Sequence, residues 1–226
     1  MSVKIHPIIL GYDHCYIIQD KGTIMIDGGA PKELKEFTKA LEEISIKPED
    51  IKLMVITHGH WDHIGSAKEI KELTGAKIAM HEQEKEWLEK GLKPLPPGIT
   101  VWGSILKGMM SIFMVPFIKI PPTEVDLVLG NEELSLEEYG IPGKIIYTPG
   151  HSSGSVSILL ETGDVFVGDM AMNQFPMRIG PGMPVFAEDE DKLKESWKLL
   201  LDSGVKTIYP SHGEPFSADI IKEALS

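Results

Sequence analysis

Apolar residues along the chain follow two alternating rhythms. Near the N-terminus, "VKIHPIIL", "CYIIQ" and "TIMIDGG" are short β-branched or apolar runs separated by Gly-Tyr-Asp and Lys-Gly turns, and they predict strands. Residues 31–45 then place Leu34, Phe37, Leu41 and Ile44 at helical spacing behind Pro31, a residue suited to a first helical turn. "IKLMVI" at 51–56 is apolar almost throughout, as expected of a strand covered on both faces. The succession continues with a helix over 65–74, a strand at 77–80, a charged helix at 82–90 and a hairpin of 123–129 with 132–136 around "GNE". Strands near 143–148, 155–160 and 164–168 follow, then a helix at 189–203, a strand at 206–210 and a last helix at 217–225. Strands then helices, twice over, predict two similar halves packed as one domain across 1–226, an α/β (α+β) chain whose topology the pattern alone leaves open.

Two segments break the rhythm. Residues 98–122 are apolar and aromatic, and 170–187 are rich in Met, Pro and Gly. Both read as inserts or lids. The 11 residues between Lys107 and Lys119 are too few for a transmembrane helix, which needs about 20. That leaves packing on the protein's own core, a lid, a homodimer interface or shallow membrane contact for 98–122.

Charge narrows the picture. A formal net charge of −12 argues against a broad nucleic-acid surface, which needs a basic face. The lone cysteine, Cys15, excludes an intramolecular disulfide and reads as a small buried side chain. "MSVKIHPIIL" has neither the basic start nor the long apolar stretch of a signal peptide, so a cytoplasmic protein is expected. Lysine supplies all the basic residues but Arg178, and asparagine occurs only at Asn131 and Asn173, a bias resembling heat-adapted proteins.

The chemistry sits in five pieces, each at the end of an apolar strand-like run: "IDGG" at 26–29, "THGHWDH" at 57–63, "TPGHSSGS" at 148–155, "VGDM" at 167–170 and "PSHGE" at 210–214. Side chains two apart on an extended chain point the same way, so His58 and His60 can converge on one ion. A turn then brings Asp62 and His63 around. With His151, Asp169 and His212 they make seven candidate ligands. A four-coordinate catalytic zinc takes three protein ligands and keeps one position open, so seven suit two ions sharing a carboxylate. The nitrogen and oxygen donors suit zinc, and also iron, manganese or cobalt. His6 and His81 read as structural, His81 as a cap or surface residue heading the charged helix, while His14 stands where it could face the site.

This ordered set, H-x-H-x-D-H followed by Gly-His, Gly-Asp and Ser-His-Gly, resembles the metallo-β-lactamase fold superfamily from Ile26 to Glu214. The resemblance implies a four-layer αββα sandwich with two divalent metal ions, most simply Zn²⁺, at one edge. It implies that His58, His60 and His151 hold the first metal, Asp62, His63 and His212 the second, that Asp169 bridges them, and that Asp27 orients a ligand imidazole. The implied chemistry is hydrolysis of a small molecule by a metal-bridging hydroxide, with Asp62 orienting the nucleophile and taking its proton.

Within that superfamily, Asp169 points away from true β-lactamases, which generally lack a bridging carboxylate. Glyoxalase II-type hydrolases add a helical domain that holds glutathione, whereas this chain runs only 14 residues past His212. Short glyoxalase II-like or lactonase-like members fit better, acting on an ester, thioester or lactone. A mononuclear iron oxidoreductase of the persulfide dioxygenase type and a phosphoesterase stand as alternatives. Seven of the eleven methionines fall within 109–114 and 170–183, and Met suits adaptable apolar pockets. Met172, Phe113 and Phe175 are therefore expected to wall a lipophilic substrate pocket, and Arg178 to bind a substrate carboxylate or phosphate. Trp61 is expected to pack beneath its loop.

Overall fold

The computed structural model describes residues 3–175, 177–180 and 182–225; positions 176 and 181 of the second insert lie outside the described residues. The chain opens with a hairpin of β1 (Lys4–Leu10) and β2 (Asp13–Gln19), paired from Lys4↔Gln19 to Leu10↔Asp13. It continues through β3 (Thr23–Ile26), α1 (Leu34–Ile44), β4 (Ile51–Val55), α2 (Trp61–Ile64), α3 (Ala67–Thr74), β5 (Lys77–His81), α4 (Lys85–Lys90), α5 (Val101–Phe113) and β6 (Leu127–Leu129). The six strands form one sheet in sequence order, antiparallel from β1 to β3 and parallel from β3 to β6.

The second sheet is built from β7 (Leu134–Ser135), β8 (Gly143–Tyr147), β9 (Val156–Leu160), β10 (Asp164–Gly168), β13 (Thr207–Pro210) and β14 (Phe216–Ser217), in the order β14-β13-β10-β9-β8-β7. Between β10 and β13 come a small β11 (Arg178–Ile179)–β12 (Met183–Pro184) ribbon and α6 (Glu190–Asp202), and α7 (Asp219–Ala224) ends the chain.

The period-2 alternation of the strands builds the layers. In β2, Cys15 and Ile17 face a core shared with Phe37 and Leu41 of α1 and Ile70 of α3. Tyr16 and Ile18 face the other way, into a core shared with Ile145, Ile158 and Phe166 of the second sheet. That sheet's outer side packs Val165, Val167 and Ile208 against Leu193, Trp197 and Leu200 of α6 and Ile221 of α7. Helices, sheet, sheet and helices thus form an αββα sandwich of two similar halves, as expected.

Three local readings change. The stretch 123–136 is no hairpin: β6 ends the first sheet and β7 begins the second, so the chain crosses between sheets at Gly130–Glu132. The first insert contains a 13-residue helix, α5, whose Thr100 side chain caps it by accepting from Gly103 N at 3.0 Å. His81 is not a surface cap; it is buried at the end of β5, stacked on Tyr147 with ring centroids 4.6 Å apart. Among the described residues, no helix is long and apolar enough to cross a membrane.

Candidate metal centre

The site forms where strand ends of both sheets meet. Beyond β4 the backbone stays extended at His60 before turning into α2, which carries Asp62 and His63. The second sheet contributes His151 from the β8–β9 connection, Asp169 directly after β10 and His212 directly after Ser211 at the end of β13. Gly168 sets up Asp169. Its φ is +56°, and a Cβ there would lie 2.5 Å from Thr57 Oγ1, so only glycine lets the two loops approach so closely.

All seven sequence-predicted ligands come together. His60 Nδ1 stands 3.0 Å from His151 Nε2, and the His58 ring centroid lies 4.6 Å and 4.7 Å from those of His60 and His151. Asp169 lies between the groups. Its Oδ2 is 3.7 Å from His151 Nε2, 3.5 Å from His212 Nε2 and 4.0 Å from His58 Nε2, and its Oδ1 is 3.4 Å from His63 Nε2. Asp62 reaches to 3.7 Å from His212 Nε2 and 4.0 Å from His63 Nε2. Two donors on one ion at about 2.0–2.2 Å, 90–110° apart, sit about 3.0–3.6 Å from each other. The observed spacings fall in or slightly above that range.

Asp27 supports this cluster from below. It follows β3 at φ +60°, a left-handed conformation that aspartate tolerates better than most residues. Its Oδ1 accepts from Thr57 N at 2.7 Å, and its Oδ2 accepts from His63 Nδ1 at 2.9 Å, which leaves His63 Nε2 for the cluster. The Nδ1 of His151 is likewise committed, donating to Phe186 O at 2.9 Å. His14 faces the seam rather than the cluster: its backbone N donates to Ser211 O at 2.8 Å and its Nδ1 to Gly213 O at 2.9 Å, bracketing His212.

Whether cations fit can be read from the atoms left over. The Nε2 atoms of His58, His63 and His212 and Oδ1 of Asp169 are buried without a hydrogen bond and face the cluster. Each orphaned buried polar atom costs about 1–3 kcal/mol. Imidazole nitrogens and carboxylate oxygens converging in this way are the donor set of a divalent cation.

The electrostatics divide the cluster. Burial, reinforced by neighbouring histidines, pulls His58 and His60 well below the ordinary histidine value. Burial takes His151 down to about 4 against the opposing pull of Asp169. His212 and His63 go the other way. Burial would lower both, but Asp169, Asp13 and Asp62 raise His212 to about 10, and Asp169 and Asp27 raise His63 well above its usual value. Asp169 in turn would be raised by burial but is held well below the usual carboxylate range by His212 and His63. Burial raises Asp62.

The family model described as the metallo-beta-lactamase superfamily matches residues 9–212. The chain belongs to that superfamily. It is 30% identical over 208 residues to the metallo-beta-lactamase fold-containing protein ST1585 of Sulfurisphaera tokodaii, covering 91% of this chain and 74% of that one. The crystal structure of ST1585 superposes with a TM-score of 0.71 over 98% of this chain and 84% of that one, at 26% identity. The "Probable metallo-hydrolase MJ0888" of Methanocaldococcus jannaschii is 29% identical, covering 90% of this chain and 89% of that one. Hydroxyacylglutathione hydrolase GloC of Haemophilus influenzae is 26% identical, covering 78% and 77%. The likenesses fit a metallo-hydrolase, and among the described residues three groupings could hold a metal ion: His58–His60–His151, Asp13–Asp62–His63–His212 and His58–His63–Asp169.

Over the cluster of this superfamily member lies a narrow cavity of about 30 Å³, walled by Trp61, Leu95, Met110, Met177 and Phe186, with Lys107 at its side. The two inserts close it jointly, since Ile99 N donates to Val185 O and Ala187 N to Pro97 O, each at 3.1 Å. The four residues expected to line a substrate pocket lie elsewhere. Phe113 and Phe175 are 72% and 84% exposed, and Arg178 lies exposed on the β11–β12 ribbon. Met172 is fully buried beside the ribbon, its backbone N bonded to Gly182 O. Composition does not specify which face of each insert turns inward.

Two further residues had no signal in the sequence. Glu84, in a charged stretch, is fully buried and accepts from Gly59 N and Gly154 N, each at 2.6 Å, joining the loops that carry His58, His60 and His151. Asp13, in a turn-like "GYD", is fully buried beside His212.

Proposed function

We propose that this chain is a dinuclear metal-dependent hydrolase acting on a small ester, thioester or lactone with an apolar acyl portion. The observation that carries the reading is the convergence of buried imidazoles around Asp169, with Nε2 of His58, His63 and His212 left without hydrogen-bond partners. His58, His60 and His151 would hold one ion, Asp62, His63 and His212 the other, with Asp169 between them. When bound, such ions lower the pKa of a shared water and polarise a carbonyl.

The chain's own residues do the rest. Asp27 fixes the His63 tautomer, and Phe186 O fixes that of His151. Asp62 opens onto the cavity, where its carboxylate can orient an attacking water and take up the proton that water releases. Met110, Met177, Leu95 and Phe186 exclude water and receive an acyl chain; at about 30 Å³ the cavity admits one only if these side chains move. Unbranched Met is well suited to that. Lys107 offers the cavity a cation for an anionic substrate group.

Metal content per chain, followed by turnover of thioesters, lactones and phosphoesters, tests the reading. Two ions per chain with ester or thioester hydrolysis is the expected result. One redox-active iron with oxygen uptake would replace it with an oxidoreductase, and turnover of phosphoesters alone with a phosphoesterase.

A further inference from the structure

Asp13 has no part in the assignment above, yet it reaches the cluster. It opens β2 directly after the Gly11–Tyr12 turn, opposite Leu10. Its side chain is fully buried, and neither carboxylate oxygen has a hydrogen-bond partner. A buried carboxylate ordinarily collects such partners. Asp27, also fully buried, does so, accepting from Thr57, His63 and Ser211. Asp13 faces the cluster instead. Its Oδ1 lies 3.2 Å from His212 Nε2, and one of its oxygens falls within 4.8 Å of ligand atoms of Asp62, His63 and His212.

The nitrogen it faces decides between two roles. A carboxylate that merely orients a ligating histidine sits on the ring nitrogen turned away from the ion. Asp27 does this at His63 Nδ1. Asp13 faces Nε2 of His212, the same atom that approaches Asp169 Oδ2 at 3.5 Å and Asp62 Oδ2 at 3.7 Å. The 3.2 Å separation matches the about 3.0–3.6 Å between neighbouring donors on one ion.

We infer that Asp13 is an eighth ligand, giving a carboxylate oxygen to the second metal position. The inference rests on the dinuclear reading. The second position then gathers three carboxylates (Asp13, Asp62 and Asp169) and two imidazoles (His63 and His212). The first gathers three imidazoles and Asp169. Carboxylate-rich sets suit manganese relative to imidazole-rich sets, which suit zinc. The two positions therefore differ in preference, the second accepting a harder, more highly coordinated ion more readily than the first.

The test compares metal-free wild type with Asp13→Asn, each titrated with Zn²⁺, with Mn²⁺ and with both in competition. Affinities come from chelator competition and stoichiometry from elemental analysis. Wild type is expected to bind two ions, with the preference for Zn²⁺ over Mn²⁺ smaller at the second position than at the first. The variant should bind its first ion as tightly as wild type and its second about 10–100-fold more weakly, with the greater loss for Mn²⁺. Anomalous diffraction from Mn²⁺-loaded wild-type crystals supplies a second reading that does not depend on the variant's folding, and should place an Asp13 oxygen at ligand distance from one ion. Two ions in both proteins with the same affinities, or an Asp13 beyond ligand distance in the loaded crystal, overturns the inference and leaves the dinuclear reading intact. A single ion in wild type overturns both.

Discussion

Replacing Glu84 by alanine would remove a side chain that ties two ligand-bearing loops together. Each carboxylate oxygen accepts one backbone N–H at 2.6 Å, from Gly59 beside the His58–His60 pair and from Gly154 beyond His151. The space is made by glycine: a Cβ on Gly154 would stand 2.8 Å from Glu84 Cγ. Alanine leaves two buried donors orphaned, at about 1–3 kcal/mol each. Burial also raises the Glu84 pKa in spite of its hydrogen bonds, so removing the carboxylate recovers part of that desolvation cost. The net loss should be about 2–4 kcal/mol, or about 5–15 °C in Tm for a chain of this size. Metal-free protein followed by thermal melting keeps cation binding out of that number. Because the clamp positions His58, His60 and His151, affinity for the first cation should fall by about 10–100-fold in the same variant. Glu84→Gln, which can accept from one glycine but presents an NH₂ group to the other, should fall between wild type and alanine. A Tm within about 2 °C of wild type together with unchanged metal affinity would refute the clamp.

Other expectations follow from the same geometry. Asp62→Ala should lower kcat by about 10²-fold or more while the circular dichroism spectrum stays native; wild-type kcat in the fully metal-loaded variant removes Asp62 from the proton step. Lys107→Ala should raise KM for anionic substrates and leave neutral esters unchanged, whereas Arg178→Ala should alter neither; the reverse pattern in steady-state kinetics would return the role to Arg178. The His212 pKa rises from 6.5 to about 10, so its proton stabilises the metal-free fold fully below about pH 6.5, and that contribution is lost as pH climbs towards about 10. Cations compete with that proton, so the position holding His63 and His212 should bind more tightly as pH rises through the same window and should release protons on loading. The position holding His58, His60 and His151, neutral at pH 7, should release almost none. Calorimetry in buffers of different ionisation enthalpy counts the protons, and equal release at both positions would contradict the division.

Much of this molecule could be read from periodicity. Alternation in β2 separates Cys15 and Ile17 from Tyr16 and Ile18, and the structure sends the pairs into different cores. His58 and His60 fall in one cluster, His60 from an extended backbone. What periodicity could not supply is partnership across the fold. β6 and β7 are adjacent in sequence and look like a hairpin, but pairing is decided by which sheet has an open edge. α5 is apolar on most of its circumference, so its pattern does not say that Met110 turns inward and Phe113 outward. Asp13 has the signature of a turn residue and Glu84 that of a solvated helix face. Both are buried because of what packs onto them from elements remote in sequence, Ser211–Gly213 in the one case and Gly154 in the other.

The candidate ligands are drawn from both halves: His58, His60, Asp62 and His63 from one sheet's loops, His151, Asp169 and His212 from the other's. Direct bonds also cross that seam nearby, among them Tyr16 Oη donating to Pro210 O at 2.6 Å, Val156 N to Thr57 O at 2.9 Å and Gly154 N to Glu84 at 2.6 Å. An ion held by His58, His60 and His151 is therefore a cross-link closing a loop of more than ninety residues, much as a disulfide would in a chain whose only cysteine has no mate. Demetallation would remove that cross-link from the seam between the sheets, so the residues proposed to hold the cations would also help to fasten the two halves together.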